Sequence, residues 1–194
     1  MLQPQKPILI LASSSPRRQE LLREAGIAFA VDPAHINEDQ KEGEPPLDYA
    51  CRLAREKAQA VAVRHPQRSV LGADTIVVVD QEVLGKPCDP ADAARMLRLL
   101  SGRGHSVTTA VCLVSPNGDT ETRSATTQVY FRPLAEPEIQ QYVAGGEPMD
   151  KAGAYAIQGG ASRWTDRIEG EWSNVVGLPL SLVTDLLRTS GLLQ

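Results

Sequence analysis

ILILASSSPRRQELL, residues 8–22, is the stretch whose reading as strand, turn and helix decides the fold. Ile8 to Leu11 are four apolar residues in a row, which predicts a short buried strand, and Ala12-Ser13-Ser14-Ser15 gives a small polar turn. Pro16 pre-sets the backbone for a first helical position and Ser15 is a natural N-cap, so a helix is predicted from Pro16 to Gly26. Its first turn carries Arg17 and Arg18. A helix N-terminus already holds roughly half a positive elementary charge, so two guanidiniums there are unfavourable unless an anion joins them. Two readings stay open on this stretch alone: a phosphate site, or a solvated surface helix whose arginines pair with scattered carboxylates.

The 194 residues suit a single domain, residues 1–194, large enough to bury a core without staples. With a formal net charge of -4 there is no general basic surface for nucleic acid, so any anion site must be local. Cys51, Cys88 and Cys112 are widely spaced and odd in number, which argues against a disulfide framework and suits a reducing cytoplasm. Residues 1–7 lead into an apolar run too short for a signal sequence or a membrane span, so no membrane partner is expected.

Ala28 to Val31 predicts a second short strand, followed by an acidic loop from Asp32 to Pro46 with Glu38, Asp39, Glu42 and Glu44, charges expected mostly to be solvated. Leu47 to Arg64 has apolar residues at helical spacing, with Lys57 on a face where salt bridges are the plain expectation. Ser69 to Val79, SVLGADTIVVV, is the strongest strand signal in the chain. Asp74 violates it, because an ionised carboxylate in a buried strand costs several kcal/mol unless paired or metal-bound. Gly72 just before it is the residue a strand uses where another backbone or a ligand comes close.

Asp80-Gln81 predicts a turn into a return arm, Glu82 to Leu84, and then Gly85-Lys86-Pro87, a loop that restrains Lys86. A helix capped by Asp89, two strands (His105 to Ser115, Thr120 to Arg132) joined at Pro116 to Asp119, and a helix from Pro137 to Ala144 follow. KAGAYAIQGGASRW, residues 151–164, surrounds Tyr155 and Gln158 with small residues. It reads either as a glycine-rich turn or as a place where a ligand nears the backbone, with Gln158 offering a donor and an acceptor to a nucleobase edge. Ser162 to Glu169 and Glu171 to Val176 are expected to form a last hairpin over Gly170, before a closing helix from Pro179 to Arg188.

There is no GxxxxGK[ST], no GxGxxG after the first strand, no GxSxG, and no HExxH among His35, His65 and His105. What remains is carboxylates with basic residues, the hard oxygen donors that bind Mg²⁺ or Mn²⁺ bridged to phosphates.

On LASSSPRRQELL at 11–22, the Glu38 loop, RLAREKA at 52–58, LGADTIVVVD at 71–80, LGKP at 84–87, DKAGAYAIQG at 150–159 and VVGLPL at 175–180, the chain resembles the Maf family of nucleoside triphosphate pyrophosphatases over nearly its whole length. It is most similar to the branch acting on dTTP and UTP, whose Thr after the catalytic Asp and whose Gln are matched by Thr75 and Gln158. The resemblance implies an α/β fold, an elongated mixed β-sheet flanked by helices with a central nucleotide cleft, as in the inosine-triphosphatase type. It implies hydrolysis between the α and β phosphates to a nucleoside monophosphate and pyrophosphate, with a divalent cation, Mg²⁺ or Mn²⁺, as cofactor.

By the same resemblance Ser13, Ser15, Arg17, Arg18, Lys57 and Lys86 would hold the triphosphate, Glu38 and Asp74 the metal, and Arg17, Thr75 and Gln158 would set specificity. The proton acceptor falls on Asp74, which the residues alone leave open between base and metal ligand. A homodimer is also compatible with the resemblance. A nucleotide-sensing regulator of cell division and a purine-directed enzyme of the inosine-triphosphatase type are the alternatives.

Overall fold

The computed structural model describes residues 9–193; Ile8, expected to open the first strand, lies outside them. In chain order the strands are β1 (Leu9–Leu11), β2 (Phe29–Val31), β3 (Ser69–Val79), β4 (Glu82–Leu84), β5 (Gly104–Val114), β6 (Thr120–Phe131) and β7 (Thr165–Glu169). The helices are α1 (Pro16–Glu24), α2 (Pro46–Ala62), α3 (Pro90–Leu100), α4 (Glu136–Ala144), α5 (Trp172–Val176) and α6 (Leu180–Thr189). The strands form a seven-stranded sheet of order β2-β1-β3-β5-β6-β7, with β4 on β3. It is mixed: β1 runs parallel to β2 and β3, whereas β3–β4 and β6–β7 are antiparallel. The expected mixed α/β class is thus observed.

Two compact units divide the chain. Of the described residues, one comprises 9–74, 110–124 and 177–193; the other comprises 75–109 and 125–176. β3 passes from the first to the second between Asp74 and Thr75.

In the first unit, Leu11 sits between Val31 and Leu71 in the parallel ladders, and all three residues of β1 are buried. That burial is what the unbroken apolar run of a strand flanked on both edges requires. Its core is completed by Leu21 and Leu22 of α1, Leu53, Ala58 and Val61 of α2, and Leu186 and Leu187 of α6. In the second unit, Asp80 and Gln81 both have positive φ, 48° and 69°, the backbone a two-residue hairpin turn needs to match the strand twist. There the core gathers Leu97 and Leu100 of α3, Phe131, Ile139, Tyr155 and Trp164.

One expectation fails. Thr165–Glu169 forms a strand, but it pairs with β6, and residues 172–176 are helical, so there is no hairpin over Gly170. Gly170 has φ of 130°, and a Cβ there would lie 2.7 Å from Thr127 Oγ1. The Thr127 hydroxyl donates to the Glu171 carbonyl and accepts from the Glu171 amide, both at 3.1 Å. The chain is thereby fastened to β6 where the hairpin would have turned, and the Val175-Val176 pair, read as strand on β-propensity, yields to that tertiary constraint. All three cysteines are free, and among the described residues no helix is long and apolar enough to cross a membrane.

Candidate active site

In the first unit the site begins at Gly72. A Cβ at this position would meet Ala54 O at 2.3 Å and Ala58 N at 2.7 Å, so the backbone of α2 lies directly on β3. Only glycine permits that approach. It brings the turn of α2 that bears Lys57 over Asp74, and Lys57 Nζ donates to Asp74 Oδ1 at 2.7 Å. Both side chains are 10% exposed. Lys57 Nζ also stands 3.0 Å from Glu38 Oε2, so the two carboxylates proposed from sequence converge on one cation.

The turn after β1 supplies the rest. Ser15 caps α1 through its hydroxyl, and its own amide donates to Ser13 Oγ at 3.2 Å. Arg18 spreads its planar fork: Nε donates to Gly177 O at 2.8 Å, and Nη1 to Ala73 O at 3.0 Å and Ser13 Oγ at 3.2 Å. Its guanidinium therefore ties the turn to the backbone just before Asp74, a geometry a lysine ammonium would not reproduce. Arg17, half-buried in the same turn, adds positive charge that opposes that of Arg18. Burial lowers the Arg18 pKa; Asp74 and Glu38 act to raise it, Arg17 to lower it further.

Burial pushes the Asp74 carboxyl above the usual carboxylate range. The charge and hydrogen bond of Lys57 pull against this, as does Arg18, while Glu38 adds to the rise. A buried carboxylate with a raised pKa and a specific charge partner marks a candidate functional site.

Glu38, Asp39 and Glu42 are exposed, as expected of the acidic loop, but Glu44 is not a solvated charge. Arg52, buried on α2, holds Glu44 through Nε at 2.6 Å and Nη2 at 2.8 Å, takes the Asp39 carbonyl at 3.0 Å, and meets Glu56 at 3.2 Å. This fork keeps the Glu44 carboxyl down at about 2. The Tyr49 hydroxyl donates to the Glu38 carbonyl at 2.7 Å. Arg52, Glu44 and Tyr49 thus fasten the loop that presents Glu38, and sequence reasoning missed all three. The available signal was Arg52 itself, a charged residue at a position the helical period assigns to the buried face.

Asp74 and Glu38 fit a divalent cation: their hard oxygens already meet at the Lys57 ammonium. Among the described residues no group of three or more His, Cys, Asp or Glu side chains is gathered. A site of two carboxylates suits Mg²⁺, which keeps several waters and takes its other ligands from phosphates.

The second unit holds the remaining three predicted residues. Thr75 is half-buried, and its hydroxyl lies 2.9 Å from that of Thr109. Lys86 and Gln158 are both exposed. Their loops are joined, because the Gly153 amide donates to Gly85 O at 3.1 Å. Gly153 has φ of 69°, and a Cβ there would lie 2.9 Å from both Val77 methyl carbons, so glycine is demanded twice over. The segment leading to Gln158 is pinned further: Tyr155 Oη meets His105 Nε2 at 2.8 Å, and the Ala156 amide donates to Tyr142 Oη at 3.0 Å. Glu147 accepts from the Tyr142 hydroxyl at 2.8 Å and from the Gly160 amide. Gln158 therefore projects from a fixed turn.

The chain matches the model of the Maf-like protein family over residues 8–190. It is 56% identical over 185 residues to the dTTP/UTP pyrophosphatase of Koribacter versatilis, covering 95% of each chain. It is 51% identical over 191 residues to the dTTP/UTP pyrophosphatase of Geobacter metallireducens, covering 98% of this chain and all of that one. Among solved structures it is similar to the Staphylococcus aureus Ham1 protein, with TM-score 0.47 and 12% identity over 94% of this chain and 98% of that one.

Proposed function

Since the chain belongs to the Maf-like protein family, we propose that it is a nucleoside triphosphate pyrophosphatase that hydrolyses dTTP and UTP to the monophosphate and pyrophosphate. The observation that carries the reading is the Asp74–Lys57–Glu38 cluster, a buried carboxylate of raised pKa held by a cation on a strand that otherwise excludes charge.

In this reading Asp74 accepts a proton from water as the water oxygen bonds to phosphorus and the α–β bridging P–O bond breaks, expelling pyrophosphate. A pKa raised towards working pH makes the carboxylate a better acceptor than an exposed aspartate. Lys57 has three N–H donors; one goes to Asp74, Glu38 is its ion-pair partner at 3.0 Å, and a remaining donor meets phosphate. Arg17, the Ser13–Ser15 turn and Lys86 hold the other phosphate oxygens, while Arg18 braces the turn. Phosphoryl chemistry of this kind depends on positioning and charge neutralisation more than on covalent help. A divalent cation, Mg²⁺ or Mn²⁺, bound by Glu38 and Asp74 would supply further neutralisation of the phosphate charge. Thr75 and Gln158 read the pyrimidine.

The test is product identity across bases. Purified protein with Mg²⁺ or Mn²⁺ is given dTTP, UTP, CTP, dATP and 7-methyl-GTP. Monophosphate with pyrophosphate from dTTP and UTP is expected; a diphosphate with orthophosphate, or no turnover, overturns the reading.

A further inference from the structure

Resting on the reading that Gln158 meets the base, we propose that Glu147 is a positioning residue for base selection: its carboxylate fixes the backbone on both sides of Gln158 and so sets the reach of that side chain to a one-ring base. Two amides carry this, each two positions from Gln158. The Gly160 amide donates directly to Glu147, at 3.2 Å to Oε1 and 3.3 Å to Oε2. The Ala156 amide donates to the Tyr142 hydroxyl at 3.0 Å, and that hydroxyl donates to Glu147 Oε1 at 2.8 Å. A carboxylate only accepts, so both arms end on it.

The glycines of the turn are fitted to that carboxylate. A Cβ at Gly159 would lie 1.9 Å from Glu147 Oε1 and 2.6 Å from its Cδ, and one at Gly160 would lie 3.5 Å from Oε2. A side chain at position 159 would evict the carboxylate, so the glycine that reads in the sequence as room for a ligand is room for Glu147. Glu147 is itself tied, its carbonyl accepting from Lys151 Nζ at 2.9 Å. Tyr155, Ala156 and Ile157 are buried, and the chain emerges at the exposed Gln158.

A glutamine amide offers one donor group and one acceptor, and so pairs with thymine or, turned over, with adenine. Its chemistry alone does not choose between them. A purine carries its pairing edge farther from the sugar than a pyrimidine does, so the choice falls to where the backbone holds Gln158. Glu147 touches no substrate in this scheme.

The experiment compares kcat/KM for dTTP and dATP, which differ only in the base, at saturating Mg²⁺, for the full-length chain, Gln158→Ala, Glu147→Ala and the double variant. The native chain is expected to favour dTTP. The dTTP:dATP ratio is expected to fall about ten-fold in each single variant, the scale of one hydrogen bond made or missed. In the double variant it should fall no further, because Glu147 acts through Gln158. A merely structural role for Glu147 would slow both nucleotides alike and leave the ratio unchanged. If Glu147→Ala does not fold, Tyr142→Phe, which removes the hydroxyl arm and keeps the ring against Trp164, takes its place in the same cycle. A ratio that falls in Gln158→Ala but not in Glu147→Ala, or that falls further in the double variant, overturns the inference and leaves the reading of Gln158 standing. A ratio unchanged in Gln158→Ala removes Gln158 from the base and overturns both.

Discussion

Lys57 Nζ and Asp74 Oδ1 lie 2.7 Å apart with both side chains nearly buried; Lys57 also stands 3.0 Å from Glu38, while Asp74 also feels the charge of Arg18. The pair is therefore asymmetric. Lys57→Met leaves a buried carboxylate facing no ammonium, whereas Asp74→Asn leaves Lys57 still paired. Breaking a buried pair by removing one partner costs about 3–5 kcal/mol. That loss is expected for Lys57→Met in urea unfolding, with a distinctly smaller one for Asp74→Asn. Activity inverts the order of interest: Asp74→Asn should lose about 10²–10⁴-fold in kcat while remaining folded, the contribution of a positioned base. Equal stability losses, or an active Asp74→Asn, would remove the pair from this account.

Gly72→Ala tests how the cluster is assembled. The added Cβ would strike the Ala54 carbonyl and the Ala58 amide of α2, main-chain atoms that cannot rotate aside. Overpacking costs about 1–3 kcal/mol where side chains can adjust, and more is expected against backbone. For a chain of this length about 3 kcal/mol lowers Tm by about 6–12 °C. If α2 moves away to relieve the clash it carries Lys57 from Asp74, so activity falls together with Tm. A variant with native Tm and rate would show that the close packing at Gly72 does not position Lys57.

Arg52 offers the corresponding test for Glu38. Arg52→Gln cannot hold both Glu44 oxygens and the Asp39 carbonyl at once, so the Glu38 loop loses its fastening to α2. Residues that orient a metal ligand typically contribute 10–100-fold in metal affinity or activity. The Mg²⁺ or Mn²⁺ concentration for half-maximal turnover should rise by about that factor, with limited proteolysis between Asp32 and Pro46 accelerated. A native metal requirement in Arg52→Gln would separate Glu38 from the cation.

What was legible in the sequence had a local cause. β3 is a β-branched run, and Asp74 is conspicuous because charge in such a run needs a reason; the helix starts carry Ser15 and Asp89 ahead of prolines, and both residues cap. What was illegible depended on contacts distant in sequence. Glu44 looks like any loop carboxylate until Arg52, eight positions on and facing inward, takes it. Asn174 sits beside two valines and reads as strand; its burial follows from hydrogen bonds to Val107 and Thr127, 67 and 47 positions away. Gln158 was flagged by its small neighbours, but the tyrosine and glutamate that hold its turn carry no pattern of their own.

His105 gives a pH prediction whose sign follows from its burial. Its Nε2 meets the Tyr155 hydroxyl, and burial depresses its pKa from 6.5 to about 4. The unfolded chain therefore binds a proton on this imidazole between pH 6.5 and 4 that the folded chain refuses, so stability is full above pH 6.5 and is lost as pH falls through that window. The loss is about 2 kcal/mol by pH 5 and about 3 kcal/mol below pH 4. Carboxylates held at about 2 by arginine partners, Glu136 by Arg98 and Glu138 by Arg132, lose their contribution as pH falls from about 4.5 towards 2, so their loss overlaps only the acid end of the His105 window and lies mostly below pH 5. Urea unfolding at pH 7.5, 6 and 5 should thus show a slope that His105→Gln flattens, although that variant is less stable at pH 7.5 for want of the imidazole packing against Phe131 and Tyr155. An identical slope in the two proteins would mean that His105 is protonated in the folded state and that its burial is not what sets the acid limit of this unit.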